Sequence, residues 1–342
     1  MIQGFLTRRI LCGLCVLPWL ATTSSGQVNP AADQGAALAA AQFRAEGLTA
    51  LIVLRNGGRL VSLGDERRKV DVASVRKSLL GALYGIAIAE ARVDPSATLA
   101  QLHIDDVPPA LTNAEKQASV MDLLLARSGV YHPAAHETAD MRAKRPERGS
   151  HAAGTFWFYN NWDFNVLGTI YRQQTGEDIF ASFAKRIARP IGMEDFDAKD
   201  GRYVRVPQSR HEAYPFKLTA RDAARFGQLI LDRGRWGGRQ IIPADWISQS
   251  LRTQSTTDRG DLGYGCLWWT LPAGRFGPGA GFAAGFGGQF IAVLPTRRLV
   301  VVQLAERAAG GSGHTKRFMR FLAQFAELSE ASGVSRQPRS GP

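Results

Sequence analysis

Apolar positions change their spacing several times along the chain, and each change marks an element. Residues 31 to 45 are Ala-rich and predict a helix that stops near Gly47. Leu48 to Leu54 is an apolar run rich in β formers and predicts a strand. Asn56-Gly57-Gly58 supplies a turn, and Arg59 to Leu63 the returning strand. From Ser74 to Ala91 the period becomes helical, with Leu79, Leu80, Leu83, Ile86, Ile88 and Ala91 on the apolar side. Helix and loop continue to about Gly192, with apolar-periodic pieces at Leu123 to Leu125, Val166 to Tyr171 and Ile179 to Ile187. Helical pattern returns at Ala220 to Asp232 and Pro243 to Leu251. Two β runs follow, Phe290 to Leu294 and Leu299 to Leu304, and then a helix from about Lys316 to Ser329. The polar segment after Gly333 predicts a disordered tail over 334–342. Strands at both ends with helices between them exclude a simple β-α-β alternation. They predict an α/β (α+β) fold. One antiparallel sheet is built from both chain ends, about 31–75 and 260–330, and is flanked by helices. A mainly helical lobe is inserted over about 76–259. An active site belongs at the seam of sheet and lobe.

The first residues follow another logic. Arg8-Arg9 precedes the apolar run Ile10 to Ala21, and the small residues Thr22 to Gly26 close it. This predicts a cleaved export signal over 1–26 and a mature protein that is periplasmic or secreted. The run is shorter than the roughly 20 apolar residues of a membrane span. No stable membrane insertion is therefore expected after signal removal. Thr7-Arg8-Arg9-Ile10-Leu11 also resembles a twin-arginine signal. Of the three cysteines, Cys12 and Cys15 leave with the signal. Cys266, between Gly265 and the apolar Leu267-Trp268-Trp269, reads as a buried structural thiol. The formal charge is +12. The positives are spread, and no basic stripe carries stacking aromatics, which argues against nucleic acid. Weak association with anionic cell-envelope polymers is the expected consequence.

Three stretches could carry chemistry. Ser74-Val75-Arg76-Lys77 is an S-x-x-K element at a helix start. Positions i and i+3 share a helix face, so hydroxyl and amine meet. The helix N-terminus favours developing negative charge at the serine. A lysine in a closed, partly cationic site can lose its proton and act as a base. Tyr159 and Asn161 stand two apart in a loop after Gly154. The phenol can relay a proton, and the amide can donate to a substrate carbonyl and accept from the lysine. The third stretch, Gly281 to Phe290, is glycine-rich and lets a substrate approach the backbone of an edge strand. A dinucleotide loop is excluded there because a strand follows the glycines where a helix should. His132 and His136 are four apart, but Pro133 between them argues against a helical metal site. Gly310 to Lys316 lacks the order of a phosphate loop, and no G-x-S-x-G elbow exists.

In order and spacing these stretches resemble the serine β-lactamase and penicillin-binding-protein superfamily, in its class C-like, esterase or 6-aminohexanoate-dimer-hydrolase-like branch. The family's S-x-x-K matches at Ser74 and Lys77, and its Y-x-N at Tyr159 and Asn161. Asp122 to Val130, Asn165 to Gly168, Pro190 to Met193, Thr219 to Gly227 and Leu262 to Gly265 are similar to further family landmarks. The resemblance runs from about residue 35 to 328 and makes 27–333 one serine hydrolase domain. In the third motif, aligning Gly285 with the family glycine puts Ala283 where a Lys or His binds substrate carboxylates in relatives.

The resemblance implies acyl transfer to Ser74, with Lys77 and Tyr159 sharing the proton work and either one as the base. It implies an oxyanion hole from the backbone N–H groups of Ser74 and Phe286, with Asn161 and Gly285 on the substrate. The implied substrate is a small ester or amide, and no cofactor or metal is called for. Ala283 argues against a β-lactamase or DD-peptidase. An oligoamide hydrolase stays open, and so does a non-catalytic binding protein of this fold.

Overall fold

The computed structural model describes Met1 and residues 30–306 and 313–334. The expected export signal, Met1 apart, and the tail beyond Val334 lie outside the described residues. Helix α1 (Pro30–Glu46) is followed by Gly47 in the left-handed region, φ 58°. Strands β1 (Ala50–Arg55) and β2 (Gly58–Gly64) then form an antiparallel hairpin. Asn56 and Gly57 turn it at φ 51° and 77°, the positive pair that matches strand twist.

Helix α2 (Val75–Ala89) is buried without interruption from Val75 to Ala87. A helix apolar on every side belongs in the middle of a fold. It lies between the sheet and helix α4 (Asn161–Thr175), against which the short helix α3 (Val120–Leu124) packs in turn. Asn160 caps α4 by accepting from Trp162 N at 3.0 Å, and Gly176 closes it at φ 67°. Helix α5 (Ala220–Leu231) begins at Thr219, whose side chain accepts from Asp222 N.

Six further strands complete the sheet: β3 (Ser255–Thr256), β4 (Gly263–Tyr264), β5 (Trp269–Thr270), β6 (Gly281–Gly285), β7 (Gln289–Leu294) and β8 (Leu299–Leu304). The order is β2-β1-β8-β7-β6-β5-β4-β3, antiparallel throughout. The first and last strands of the chain lie side by side within the sheet, where Ala50 pairs with Leu304 and Arg55 with Leu299. Helix α6 (His314–Val334) runs along α1 on one face. It seats Phe318 on Phe290 with ring centroids 4.2 Å apart. The next residue, Ile291, points the other way, toward α5. A Cβ on Gly227 of α5 would come within 2.5 Å of Val300, so the helix lies this close because position 227 has no side chain.

The expected sheet from both chain ends, flanked by helices, is what forms. Three features differ from the sequence expectation. Helix α5 packs on β1, β7 and β8 rather than standing in the inserted lobe. The insert also contains short β pairs, Val204–Val206 with Ser209–Ala213 and Arg235–Trp236 with Arg239–Gln240. And β6 is an edge over part of its length only. Its Gly281 and Phe282 pair with β5, while the same side of Ala283 to Gly285 is left open. That opening faces the start of α2. Among the described residues no helix is long and apolar enough to cross a membrane.

Candidate active site

Ser74 sits at the N-cap of α2, with φ −74° and ψ −8°. A serine there normally accepts from a backbone N–H of the first turn. Ser74 makes no such bond, and its Oγ lies 2.7 Å from Lys77 Nζ instead. The preceding Ala73 has φ 47°, in the left-handed region that disfavours a residue with a Cβ. The loop is pinned around this kink. Ala73 N donates to Asp71 Oδ1 at 2.9 Å, and Val72 N donates to the Phe216 carbonyl at 3.0 Å.

Lys77 is 2% exposed, and its Nζ lies 2.8 Å from the Tyr159 hydroxyl. It also sits over two aromatic faces, 4.5 Å from the Tyr159 centroid and 4.6 Å from that of Phe164. Burial first, and then the charge of Arg76, hold its pKa well below the ordinary lysine value. Burial pushes the Tyr159 phenol the opposite way, upward, against the lowering effects of the Ser74 hydroxyl, Arg76 and Arg259. Of the two groups, the amine is therefore the readier to stand unprotonated near neutral pH, and the phenol the readier to keep its proton.

Asn161 opens α4 and departs from the expectation that it would accept from the lysine. Its Nδ2 donates to the His136 carbonyl at 2.7 Å, and its Oδ1 is buried without a partner. Gly285 ends β6 against the loop that precedes Ser74, where a Cβ would meet the Val72 carbonyl oxygen at 2.3 Å. Phe286 begins the turn after it, its side chain exposed. Gly287 and Gly288 complete that turn at φ 84° and 87°. Ala283 is 1% exposed and contributes no charge to the opening.

Beside these groups stands an aromatic wall, of which the sequence pointed to Tyr159 and the Trp268-Trp269 region but not to Trp157 or Tyr264. Tyr159 stacks on Trp269 at 5.5 Å, and Trp157 and Tyr264 pack edge-on or tilted around the pair. Arg259 lies over Trp269, 5.7 Å from its centroid. Four aromatics within a few residues of the motifs were the available signal. Arg76 was also passed over. It is the one charged residue besides Lys77 in a helix otherwise free of charge, and it is 2% exposed.

The other candidates stay apart from this centre. Burial pushes the Cys266 thiol up to about 12, as suits a structural position. His132 is buried beside Trp162, while His136 offers Asn161 only its backbone carbonyl, which accepts from Asn161 Nδ2. Among the described residues no three His, Cys, Asp or Glu side chains are grouped to hold a metal ion.

Residues 37–324 match the profile of the family described as Beta-lactamase. The chain belongs to the Beta-lactamase family. Members of this family are serine hydrolases. No curated protein sequence matches the chain. Solved structures share the family fold at low identity. A proposed 6-aminohexanoate-dimer hydrolase from Bacillus anthracis is 21% identical, covers 85% of this chain and 82% of its own, and superposes with a TM-score of 0.69. EstCE1, described as a hydrolase with promiscuous acyltransferase activity, is 14% identical over 88% of this chain and 98% of its own, at 0.62. A class C β-lactamase is 16% identical over 92% and 99%, at 0.61. At these identities the likeness shows the fold alone.

Proposed function

We propose that this family member is a serine hydrolase that cleaves an ester or amide bond of a small substrate through an acyl-enzyme on Ser74. The observation that carries the reading is the unbroken contact from Ser74 Oγ to Lys77 Nζ to Tyr159 OH, at 2.7 and 2.8 Å. Neutral Lys77 takes the Ser74 proton as Oγ bonds to the substrate carbonyl carbon. The backbone N–H groups of Ser74 and Phe286 hold the developing oxyanion, each donor contributing about 2.7–4 kcal/mol. The open side of β6 at Gly285 is where the substrate backbone lies. Lysine and phenol together return a proton to the leaving group as its bond to carbon breaks. Water then attacks the acyl carbon and gives its proton to the same pair; as the bond from that carbon to Ser74 Oγ breaks, the carboxylic acid leaves and Oγ takes the proton back. The Asn161 carboxamide, with one N–H still free beside the His136 carbonyl, orients the scissile group. The chemistry calls for no cofactor.

Ala283 disfavours a β-lactamase or DD-peptidase, because the buried methyl offers nothing to a substrate carboxylate. The activities described for the proposed 6-aminohexanoate-dimer hydrolase and for EstCE1, a hydrolase with acyltransferase activity, support the acyl-transfer reading. The basic and apolar leader at 1–26 supports an exported, periplasmic or secreted site of action, with weak attraction to anionic envelope polymers. Hydrolysis of a short-chain p-nitrophenyl ester by the mature protein, beside its Ser74→Ala variant, tests the reading. Turnover by the parent alone is expected. Equal turnover by both would remove Ser74 from the mechanism.

A further inference from the structure

Arg76 is buried beside the catalytic lysine in an arrangement that stability alone does not explain. Its guanidinium is 2% exposed. Among the described residues it forms no ion pair. Nη2 donates to the neutral Asn165 Oδ1 at 2.9 Å, the Cζ lies 4.2 Å from the Tyr214 ring centroid, and Nη1 is buried without a partner. An unpaired buried charge is among the most destabilising groups a fold can contain. Both of its partners fix the geometry without cancelling the charge. A carboxylate in place of Asn165 would hold the guanidinium more tightly and would also erase its field at the neighbouring Lys77.

The surroundings keep that field uncompensated. Tyr159, Tyr214 and Tyr264 are all pushed up by burial, so none contributes a phenolate near neutral pH. His136 is pushed down by burial and then by Arg76, with Asp71 opposing and Arg202 acting the same way as Arg76. The Asp163 carboxyl is pushed well above the carboxylate range by burial and is tied to Ser128 Oγ at 2.6 Å. Asp71 is exposed and lies 3.7 Å from Arg202, and exposed Arg259 adds a further positive charge near Tyr159.

We propose that Arg76 is a positioning residue for proton transfer: its uncompensated guanidinium, buried one residue from Lys77, keeps the lysine in its neutral, proton-accepting form. The proposal rests on the serine-hydrolase reading and adds to it a charge that acts beside burial on the protonation of the base. A positive charge next to an amine disfavours the ammonium. Removing the charge lets Lys77 hold its proton to higher pH, so the acid limb of the reaction moves up.

The test is the rate at which a fluorophosphonate labels Ser74, followed from pH 5 to 10 in the parent, Arg76→Gln and Arg76→Met, with thermal melts of each. The acid limb of both variants is expected about one pH unit or more above that of the parent, with rates converging at the alkaline end. Melting temperatures are expected to stay level or rise, because an unpaired buried charge has been removed. If the Met variant does not fold, the Gln variant, which keeps a donor for Asn165, is read by the same criterion. An unmoved limb, with or without a lower melting temperature, overturns the proposal and leaves Arg76 a structural residue. A folded parent that is not labelled at any pH overturns the hydrolase reading itself, and this proposal falls with it.

Discussion

Gly285→Ala tests the seam on which the site depends. The new methyl carbon would stand 2.3 Å from the Val72 carbonyl oxygen and 2.9 and 3.2 Å from Gln289 Cβ and Cγ, where ordinary contact begins at 3.4 Å. Gln289 cannot swing aside, because its amide exchanges two hydrogen bonds with the Ala305 backbone, at 2.6 and 3.0 Å. Gly285 is a strand residue outside the left-handed region, so alanine is tolerated by the backbone and the penalty is purely steric. The strand end and the Val72 loop must then separate by about 1 Å, and a misplacement of that size near the chemistry costs on the order of 100-fold in rate. Overpacking of this kind also destabilises by about 1–3 kcal/mol. The assay is the pre-steady-state burst with a p-nitrophenyl ester, beside a thermal melt. Gly35→Ala is the control, because its methyl would meet the Phe325 ring at an ordinary 3.6 Å. A folded Gly285→Ala protein acylated within threefold of the parent rate would refute the claim that β6 and the Val72 loop must touch for the site to work.

Other outcomes follow from the same geometry. Ser74→Ala should abolish turnover without lowering the melting temperature, since the Ser74 hydroxyl caps no N–H of α2; a loss of the roughly 1 kcal/mol typical of a removed cap would contradict this. Tyr159→Phe should reduce kcat by about 10²–10⁴-fold with KM nearly unchanged, and an unaltered kcat would take the phenol out of proton transfer. Asp106 is 2% exposed and accepts from Ser209 Oγ, Trp162 Nε1, Arg210 N and Val107 N. Burial pushes its carboxyl up, but these donors outweigh burial and leave it below the ordinary value. Its contribution to stability is thus present above the unfolded carboxylate range and lost as pH falls through the folded pKa. Asp106→Asn should destabilise by about 2–3 kcal/mol at pH 7 in urea unfolding, and the gap should narrow below pH 4. A gap independent of pH would show that the carboxylate charge is not what the donors hold.

Ser74 and Lys77 were legible because three residues along a helix is a contact distance that any S-x-x-K spacing reports. Tyr159 was not legible in that sense, since 82 residues separate it from Lys77 and only resemblance linked them. The strands β1, β7 and β8 announced themselves as runs of six residues. β3, β4 and β5 have two residues each, too few to show a period, and they form because neighbouring strands offer free backbone groups. The placement of α5 was hidden for a related reason. Its amphipathic pattern shows a buried face without naming the surface that covers it. Arg76 was visible all along inside the first motif, but spacing carries no information about which charge will lack a counter-ion. Asn161 shows the converse. Its type was right for the site, yet a backbone carbonyl from the Tyr131 to Arg148 loop claims its amide.

The pairing of the chain's first and last strands within one sheet has a consequence for the order of folding. Gln42 of α1 donates to Gln303 of β8 across 261 residues of sequence, and β1 cannot gain its second neighbour until β8 exists. Closing so long a loop is entropically expensive, and folds dominated by distant contacts form slowly. The serine, lysine and tyrosine all lie in the first half of the chain, but β6, which completes the site, is made near the end. A growing chain therefore carries its nucleophile in an unfinished setting until the last strand is in place. Truncation anywhere before Leu304 should abolish the hydrolase outright rather than weaken it by degrees.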